Sequence, residues 1–249
     1  MSKTIVITGG SRGIGAATAR LAGARGWSVV VNYAGDAVAA GETVTAVRAA
    51  GGQAVSVKAD VAVEADVIAL FDAAAREYGP IDGVVNNAGI LIGPPMPLAD
   101  MPAARIERIM QVNVVGAYLV AREAARRMGR SRGGRGGVLV NLSSAAARLG
   151  RPGEFVDYAG SKGAIDTLTF ALARDLAPDG VRVNAVRPGL IDTEIHASGG
   201  EPGRAERAGH TVPIGRAGTA AEVGEAIVWL LSDAASYVAG TNLEVTGAR

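Results

Sequence analysis

Tyr158 and Lys162, four positions apart, are the pair in this sequence best suited to proton transfer. The apolar residues around them recur at helical spacing, so both side chains project from one face of the predicted helix. A free tyrosine has a pKa of about 10, too high for a base at neutral pH. A lysine ammonium one helical turn away would favour the phenolate and lower that pKa. Taken without other motifs, such a pair is most often an ordinary exposed contact.

A glycine-rich turn between the first predicted strand and the first predicted helix is suited to binding phosphate. Its glycines would permit a tight turn and a close backbone approach to a pyrophosphate, and the helix N-terminus offers unpaired amides. The spacing is Gly-x-x-x-Gly-x-Gly, and with 35 glycines in 249 residues this motif is weak by itself. The residues of the turn expected to bind a cofactor are Gly9, Ser11, Arg12, Gly13, Ile14 and Gly15.

Apolar runs of strand length alternate with longer stretches of helical spacing along the whole chain. Most runs are continuous in Val, Ile and Leu, which is typical of strands buried on both faces. The predicted strands are 4–8, 28–32, 54–58, 83–86, 138–142, 181–186 and 242–245. The predicted helices are 13–25, 37–50, 64–78, 103–128, 155–177 and 220–232. The sequence therefore predicts an α/β fold: one domain over 1–249 with a doubly wound, Rossmann-like, seven-stranded parallel sheet and helices on both faces.

The composition excludes several classes of function. The absence of cysteine rules out disulfides and thiolate chemistry, and two histidines give little basis for a metal centre, so we expect no metal. A net charge of +1 provides no global field to recruit nucleic acid or anionic lipid. No stretch approaches the roughly 18 apolar residues of a membrane span, and no signal segment follows Met1. We expect a cytoplasmic protein that binds neither nucleic acid nor membrane.

Two segments depart from the strand and helix rhythm. Residues 126–137 hold five arginines among glycines, like a nucleic-acid-binding tract, but lack aromatic residues for stacking. We interpret these arginines as partners of helix C-terminal carbonyls, followed by a flexible loop. Residues 190–212 are polar, rich in glycine and longer than an ordinary connection, so we expect a mobile substrate lid. His196 and His210 fall in this lid and are expected at the surface, although His196 could touch substrate.

Six motifs resemble, in order and separation, those of the short-chain dehydrogenase/reductase family over essentially the whole chain. They are TGGSRGIG from Thr8, NNAG from Asn86, Asn113 in QVNVVG, Ser144 in VNLSS, Tyr158-x-x-x-Lys162, and Pro188-Gly189 with Thr193. The chain resembles members such as 3-oxoacyl carrier-protein reductases and glucose 1-dehydrogenases. The resemblance implies an NAD(P)-dependent enzyme that interconverts a ketone and a secondary alcohol of a small molecule. A non-catalytic dinucleotide sensor on the same fold is the alternative, and intact catalytic motifs argue against it.

The resemblance also implies catalytic roles. Tyr158 is the general acid/base, Lys162 bonds the nicotinamide ribose, and Ser144 bonds the substrate oxygen. Ser144 precedes Tyr158 by one residue more than is common in the family, so we place the extra residue in 151–157 and keep Ser143 as a lesser alternative. Asn113 would kink its helix and hold a water in a proton relay. From the residues alone, an equally good interpretation is that Asn113 is a buried polar residue bonded to a neighbouring strand.

Further cofactor-binding residues are implied by the resemblance, at the ends of the third, fourth and sixth strands. They are Asp60, Val61, Asn86, Ala88, Gly89, Pro188, Gly189, Ile191 and Thr193. Two have competing interpretations, since Asp60 could cap the following helix and Asn86 could stabilise the centre of the sheet.

Cofactor choice depends on the residue at the end of the second strand, where an acidic side chain would select NAD. Tyr33 occupies that position, and Asp36 comes later, where it more plausibly caps a helix. Arg12 resembles the basic residue that pairs with the 2′-phosphate in NADP-preferring relatives. We therefore predict NADP, with NAD as the less favoured cofactor.

Assembly is predicted from the C-terminal region 220–247. Trp229, Leu230 and Leu231 exceed what one helix face needs to cover the sheet. Relatives use this region, together with the fourth and fifth helices, to form homotetramers. We expect a homotetramer, with simple coverage of the sheet edge as the alternative.

Overall fold

The structure is a computed structural model that describes residues 2–249, so Met1 lies outside it. Its strands are β1 (Thr4–Ile7), β2 (Ser28–Tyr33), β3 (Gln53–Lys58), β4 (Gly83–Asn86), β5 (Gly137–Leu142), β6 (Val181–Pro188), β7 (Ile191–Asp192), β8 (Gly218–Thr219) and β9 (Asn242–Val245). Seven of them form one parallel sheet in the order β3-β2-β1-β4-β5-β6-β9. The predicted sheet is confirmed.

The helices of the described chain alternate with these strands. They are α1 (Gly13–Ala24), α2 (Ala37–Ala49), α3 (Glu64–Tyr78), α4 (Ala103–Met110), α5 (Ala117–Met128), α6 (Ala146–Leu149), α7 (Val156–Leu176), α8 (Ile195–Ser198), α9 (Arg204–Ala208) and α10 (Ala220–Leu231). One face of the sheet packs against α1, α2 and α10, and the other packs against α3, α5 and α7. The central strands therefore bury both faces, which explains why their sequences are almost continuously apolar, whereas the edge strands β3 and β9 are partly exposed.

The order of the strands fixes where a ligand can bind. The chain begins in the middle of the sheet with β1, runs outward to β3, and then crosses back to β4 on the other side of β1. The loops leaving β1 and β4 therefore diverge at the carboxyl edge of the sheet. Such a divergence leaves a crevice, which is where open parallel sheets bind their ligands.

The helix predicted over 103–128 is not continuous. A π-helical turn (Gln111–Gly116) separates α4 from α5, at the position where the resemblance implies that Asn113 kinks the helix. The side chain of Asn113 is buried inside the turn. π turns within helices are rare and often lie at functional sites.

The arginine-rich segment 126–137 is held by carboxylates. Arg126 pairs with Glu123, and Arg127 pairs with Glu123 and with Asp72 across the helix layer. The prediction that these arginines bond helix carbonyls is therefore wrong, because acidic side chains are within closer reach. The following loop is also tied down, since the Asp179 carboxylate accepts bonds from Ser131 Oγ and its amide.

The C-terminal helix α10 contributes most of its apolar residues to the chain's own core. Leu230 and Leu231 are fully buried there, whereas Trp229 is partly exposed. The expectation that all three exceed the needs of one helix face is therefore wrong for the two leucines. Within residues 2–249, no helix combines the length and the apolar character needed to cross a membrane.

Candidate active site

A cleft of about 660 Å³ opens at the carboxyl edge of the sheet, at the divergence of β1 and β4. Its walls come from the glycine turn after β1, the ends of β2 to β6, the helix α7 and the segment after β6. Most predicted site residues line this cleft. The exceptions are Gly15, Asn86 and Asn113, which lie behind its walls.

The glycine turn forms the floor of one half of the cleft. Gly9 and Gly13 have φ of +61° and +52°, the left-handed region that favours glycine. A Cβ on Gly15 would lie 2.3 Å from the Gly9 carbonyl oxygen, so Gly15 lets α1 pack on the turn rather than lining the cleft. No side chain caps the N-terminus of α1, which leaves its first amides directed at the cleft. These features fit the pyrophosphate of a dinucleotide.

Tyr158 and Lys162 lie one turn apart on α7 in the other half of the cleft, where Lys162 is buried and Tyr158 is half-buried. The Lys162 ammonium donates a hydrogen bond of 2.7 Å to the Leu142 carbonyl and lies 5.7 Å from the centre of the Tyr158 ring. Burial lowers the pKa of Lys162 to about 8, opposed by the Asp166 carboxylate. The lysine therefore remains protonated at neutral pH.

The pKa of Tyr158 departs from the sequence-based expectation. Burial raises it, while the hydrogen bond with Ser144 and the positive charge of Arg151 lower it to a lesser extent. The prediction of a net lowering by Lys162 is therefore wrong for the protein alone, because loss of water outweighs the nearby charges. The phenol is protonated at neutral pH and can donate a proton.

The two serines after β5 face different environments. Ser144 Oγ accepts from the Ala146 amide at 3.1 Å and hydrogen-bonds Tyr158 within the cleft. Ser143 Oγ is buried and donates to the Lys162 carbonyl at 3.2 Å, which ties β5 to α7. This geometry favours Ser144 over Ser143 as the residue that meets a substrate oxygen.

Asn113 supports the cleft from behind. Its Oδ1 accepts from the Ile90 amide at 2.8 Å, and its Nδ2 donates to the Ile90 carbonyl and to Ser161 Oγ. Gly89 lies between Asn113 and Lys162, since a Cβ there would be 3.4 Å from both Asn113 Oδ1 and Lys162 Nζ. Asn113 thus bonds the loop after β4 and the helix α7, not a neighbouring strand as the alternative proposed.

Asn86 and Asn87 differ in orientation despite being adjacent. Asn86 Nδ2 donates to the Asn141 side chain and the Ala117 carbonyl in the interior. The Asn86 side chain therefore does not line the cleft, which fits its alternative role at the centre of the sheet. Asn87 lines the cleft and donates to the carbonyls of Thr8 and Gly9. Ala88 and Gly89 line the cleft as predicted.

The end of the cleft beyond the glycine turn is formed by residues after β2 and β3. Tyr33 lines it, and Arg12 Nη1 lies 4.0 Å from Asp36 Oδ2. Asp36 caps α2 as predicted, by accepting from the Ala39 amide. Asp60 and Val61 also line this end. The Asp60 side chain does not cap α3. It accepts a hydrogen bond from the Ala62 amide and lies 3.5 Å from the Arg108 guanidinium.

The segment after β6 closes the far side of the cleft. Pro188, Gly189, Ile191 and Thr193 all line it, and Thr193 contacts the glycine turn, about 3.4 Å from where a Gly13 Cβ would lie. Residues 190–212 contain β7, α8 and α9 and bury Leu190, Ile191, Ala205 and Val212. The segment is therefore more ordered and more apolar in its contacts than its composition indicates.

His196 belongs to the cleft wall, so the expectation of a surface position is wrong for it. Its Nε2 lies 2.8 Å from the Ile191 carbonyl, and burial lowers its pKa, so the ring is neutral at pH 7. His210 is exposed, as predicted. Among residues 2–249, no three carboxylates and imidazoles come together in a group that could hold a metal ion.

Several cleft residues were not predicted from the sequence, and the polar ones among them include Asn32, Asn87 and Arg151. Asn32 Oδ1 accepts from the Gly9 amide at 3.2 Å, and its Nδ2 donates to the Ala59 carbonyl. An asparagine after three valines in a buried strand was a usable signal, because such a group needs a partner. No comparable signal pointed to Arg151, whose position depends on a loop conformation.

The fold and the cleft define a class of protein, the dinucleotide-binding α/β proteins with a proton-transfer pair beside the ligand crevice. Residues 9–247 match the family described as Enoyl-(Acyl carrier protein) reductase. The chain is 50% identical over 244 residues to the uncharacterized oxidoreductase YgfF of Escherichia coli K12, with 98% of each chain covered.

Two solved structures share the fold. The 3-ketoacyl-(acyl-carrier-protein) reductase from Brucella melitensis complexed with NADH superposes with a TM-score of 0.90 at 31% identity, covering 99% of this chain and 98% of that one. A short-chain dehydrogenase from Burkholderia cenocepacia J2315 in complex with NADP gives a TM-score of 0.88 at 32% identity, covering 98% and 96%. The chain belongs to the short-chain dehydrogenase/reductase family and is an NAD(P)-dependent oxidoreductase.

Proposed function

We propose that the protein interconverts a ketone and a secondary alcohol of a small molecule, using NADP(H), with Tyr158 as the general acid/base. The observation that carries this proposal is the placement of Tyr158, Lys162 and Ser144 in the same cleft as the glycine turn. Reduction of a carbonyl needs a hydride and a proton. The dinucleotide would supply the hydride when bound at the anion-binding turn, and a proton donor in the same cleft would supply the proton.

Each catalytic side chain has a distinct role in this proposal. The protonated Tyr158 hydroxyl donates to the substrate oxygen in the reductive direction, and Ser144 Oγ bonds the same oxygen and orients it. The Lys162 ammonium stabilises the phenolate that remains and, as the resemblance implies, bonds the ribose of the cofactor. Asn113 holds the loop after β4 against α7, which keeps Lys162 beside Gly89. The segment 190–212 then acts as a lid over the substrate.

The residues present fit a nicotinamide dinucleotide. A Cβ on Gly9 would lie 3.0 Å from both Ala88 and Asn87, so the backbone cradle depends on glycine there. The α1 amides and the turn residues Gly9, Ser11, Gly13 and Ile14 would hold the pyrophosphate. Ile191 and Thr193 would hold the nicotinamide end, and Asp60, Val61, Ala88 and Gly89 the adenosine end.

The preference for NADP over NAD rests on Arg12 and Tyr33. Arg12 is exposed at the adenosine end, and Tyr33 stands where an acidic residue would select NAD. A bond from the guanidinium to a 2′-phosphate is charge-assisted and worth about ten- to a hundredfold in affinity. Asp36, 4.0 Å from Arg12, opposes it, because its carboxylate repels the phosphate and competes for the guanidinium.

Calorimetry with NADPH and NADH tests this preference. Arg12→Ala should weaken NADPH binding by about ten- to a hundredfold and leave NADH nearly unchanged. Asp36→Asn, which keeps a residue able to cap α2, should strengthen NADPH binding. Arg20→Ala, on the exposed face of α1, is the control. Tighter binding of NADH than NADPH to the unaltered protein would overturn the preference.

The catalytic assignment is tested by Tyr158→Phe. Removal of a positioned proton donor should lower kcat by about 10²- to 10⁴-fold while the dinucleotide still binds. Tyr237→Phe, at a fully exposed tyrosine, should behave as wild type. A panel of ketones and secondary alcohols followed by nicotinamide absorbance supplies the substrate. If Tyr158→Phe retains activity within a few-fold of wild type, Tyr158 is not the acid/base.

A further inference from the structure

Arg151 forms part of the cleft wall in the loop between α6 and α7. Its backbone has φ of +47°, a left-handed conformation that is uncommon for a residue other than glycine. Its side chain is only 18% exposed. Backbone strain of this kind is maintained where the surrounding structure requires a particular side-chain placement, and such positions cluster at functional sites.

Arg151 shares its carboxylate partner with a second arginine. Among residues 2–249 it forms one ion pair, with Arg151 Nη2 2.7 Å from Glu154 Oε2. The same carboxylate oxygen lies 3.0 Å from Arg204 Nη2, and Arg204 also pairs with Glu201. Burial lowers the pKa of Arg151, and the nearby Arg249 lowers it further, but a guanidinium remains charged at neutral pH.

Acidic side chains do not balance this charge on the cleft surface. The carboxylates lining the described cleft are Asp36, Asp60 and Glu194. Asp36 lies beside Arg12, Asp60 lies beside Arg108, and Glu194 Oε2 lies about 3.7 Å from where a Gly13 Cβ would be. All three therefore belong to the half of the cleft that contains the glycine turn. The lining of the half that contains Tyr158 includes Lys162, Arg151 and Arg204 but no carboxylate, because Glu154 and Glu201, the partners of the two arginines, do not line the cleft.

Arg151 lies close enough to the reacting group to meet the same molecule. Arg151, Tyr158 and His196 all line the same cleft, and the charge of Arg151 lowers the pKa of both Tyr158 and His196. The wall here also includes the apolar side chains of Leu149 and Phe155, beside the charged Arg204 and Arg249. A guanidinium in a partly desolvated wall is suited to bind a carboxylate or phosphate through two parallel hydrogen bonds.

We propose that Arg151 determines substrate specificity by binding an anionic oxygen group, a carboxylate or a phosphate, that the substrate carries some carbon atoms away from the reacting carbonyl. This inference rests on the proposed ketone reduction and adds the substrate class. Arg204 and Glu154 position the Arg151 guanidinium in this arrangement. The neutral His196 contributes shape and hydrogen bonding but no charge.

The test compares ketones that differ only in charge. One arm uses 4-oxopentanoate, 5-oxohexanoate and 6-oxoheptanoate against their methyl esters, and the second uses hydroxyacetone phosphate against hydroxyacetone. Two measurements are made for each: kcat/KM with NADPH, and Kd by calorimetry with NADP⁺, where a ketone binds without reacting. The variants are Arg151→Gln and the control Arg132→Gln, an exposed arginine at the opposite edge of the sheet.

In wild type, at least one anionic ketone should be favoured over its neutral counterpart by about tenfold or more in both measurements. Arg151→Gln should remove most of that ratio, and Arg132→Gln should leave it intact. The ratio isolates charge recognition, because any effect of Arg151 on the Tyr158 pKa changes both members of a pair equally. Arg151→Asn gives a second variant, since asparagine tolerates the left-handed backbone.

Two results would overturn the inference. In one, wild type shows no preference for an anion in either arm. In the other, Arg151→Gln lowers the values for anionic and neutral ketones by the same factor, which would indicate a structural or purely electrostatic effect on Tyr158. If no ketone is reduced but anions still bind through Arg151, the proposed reduction fails and the anion site stands.

Discussion

Replacement of Gly15 by alanine tests whether the glycine turn depends on close packing of α1. The added Cβ would lie 2.3 Å from the Gly9 carbonyl oxygen and 2.7 Å from Asn87 Nδ2. Both atoms belong to the hydrogen bonds that join the turn to the loop after β4. Overpacking of this kind costs about 1–3 kcal/mol, and loss of the Asn87 hydrogen bond adds about 1 kcal/mol. We expect the free energy of unfolding to fall by roughly 2–4 kcal/mol in total.

Thermal and urea unfolding measure this loss, which corresponds to a fall in Tm of roughly 4–16 °C for a chain of this size. NADPH binding should weaken as well, because displacement of the Gly9 carbonyl distorts the turn that would hold the pyrophosphate. Gly41→Ala is the matched control. Gly41 is exposed within α2, and an added Cβ meets nothing within 4 Å, so alanine should stabilise the protein by about 0.5–1 kcal/mol. A Gly15→Ala protein as stable as wild type, with unchanged NADPH affinity, would refute the packing argument.

Three further predictions concern individual side chains. Ser144→Ala should lower kcat by about 10²-fold, because it removes a hydrogen bond to the substrate oxygen. Ser143→Ala should lower the free energy of unfolding by about 1 kcal/mol and change kcat little. If Ser143→Ala lowers kcat more than Ser144→Ala does, the assignment of the two serines is reversed. Burial holds the pKa of Lys162 at about 8, below its unfolded value of about 10.4, so the unfolded chain binds more protons between these pH values. We therefore compare the free energy of unfolding of cofactor-free wild type with that of Lys162→Met. The difference should rise by about 1.4 kcal/mol per pH unit from pH 8 to about 10. A difference that does not change with pH would contradict this prediction. Light scattering should give the mass of a tetramer for wild type. Phe170→Glu should give a smaller species, because Phe170 is exposed on α7. A monomer mass for wild type at micromolar concentration would refute the tetramer.

The sheet could be predicted from the sequence because its central strands are buried on both faces and its helices are amphipathic. Those patterns depend on backbone periodicity, which the sequence shows directly. The π turn at Gln111–Gly116 was not predictable in this way, since the apolar spacing of α4 and α5 reads as one helix. The Leu230 and Leu231 side chains were misassigned because burial depends on how α10 lies on the sheet.

Within the cleft, position along the chain was predictable and orientation was not. Tyr158, Lys162 and Ser144 lie on a helix and at a strand end, so the sequence locates them correctly. Asn86 and Asn87 lie side by side at a strand end, and only the geometry of the turn decides which one faces the cleft. The pKa of Tyr158 depends on burial, which cannot be inferred from its distance to Lys162 along the helix.

The chemistry and the specificity of this cleft are built from different kinds of structure. The glycine turn, Ser144, Tyr158 and Lys162 lie at the ends of central strands or on the long helix α7, where packing on both sides fixes each position. Arg151 and His196 lie on the short connections around α6 and α8, which contact the cleft from one side. We expect a substitution in the first group to affect catalysis or cofactor binding, and a substitution in the second to affect what the cleft recognises. Residues that select the substrate are therefore expected on these connections, and the left-handed backbone of Arg151 shows that one of them is held under strain.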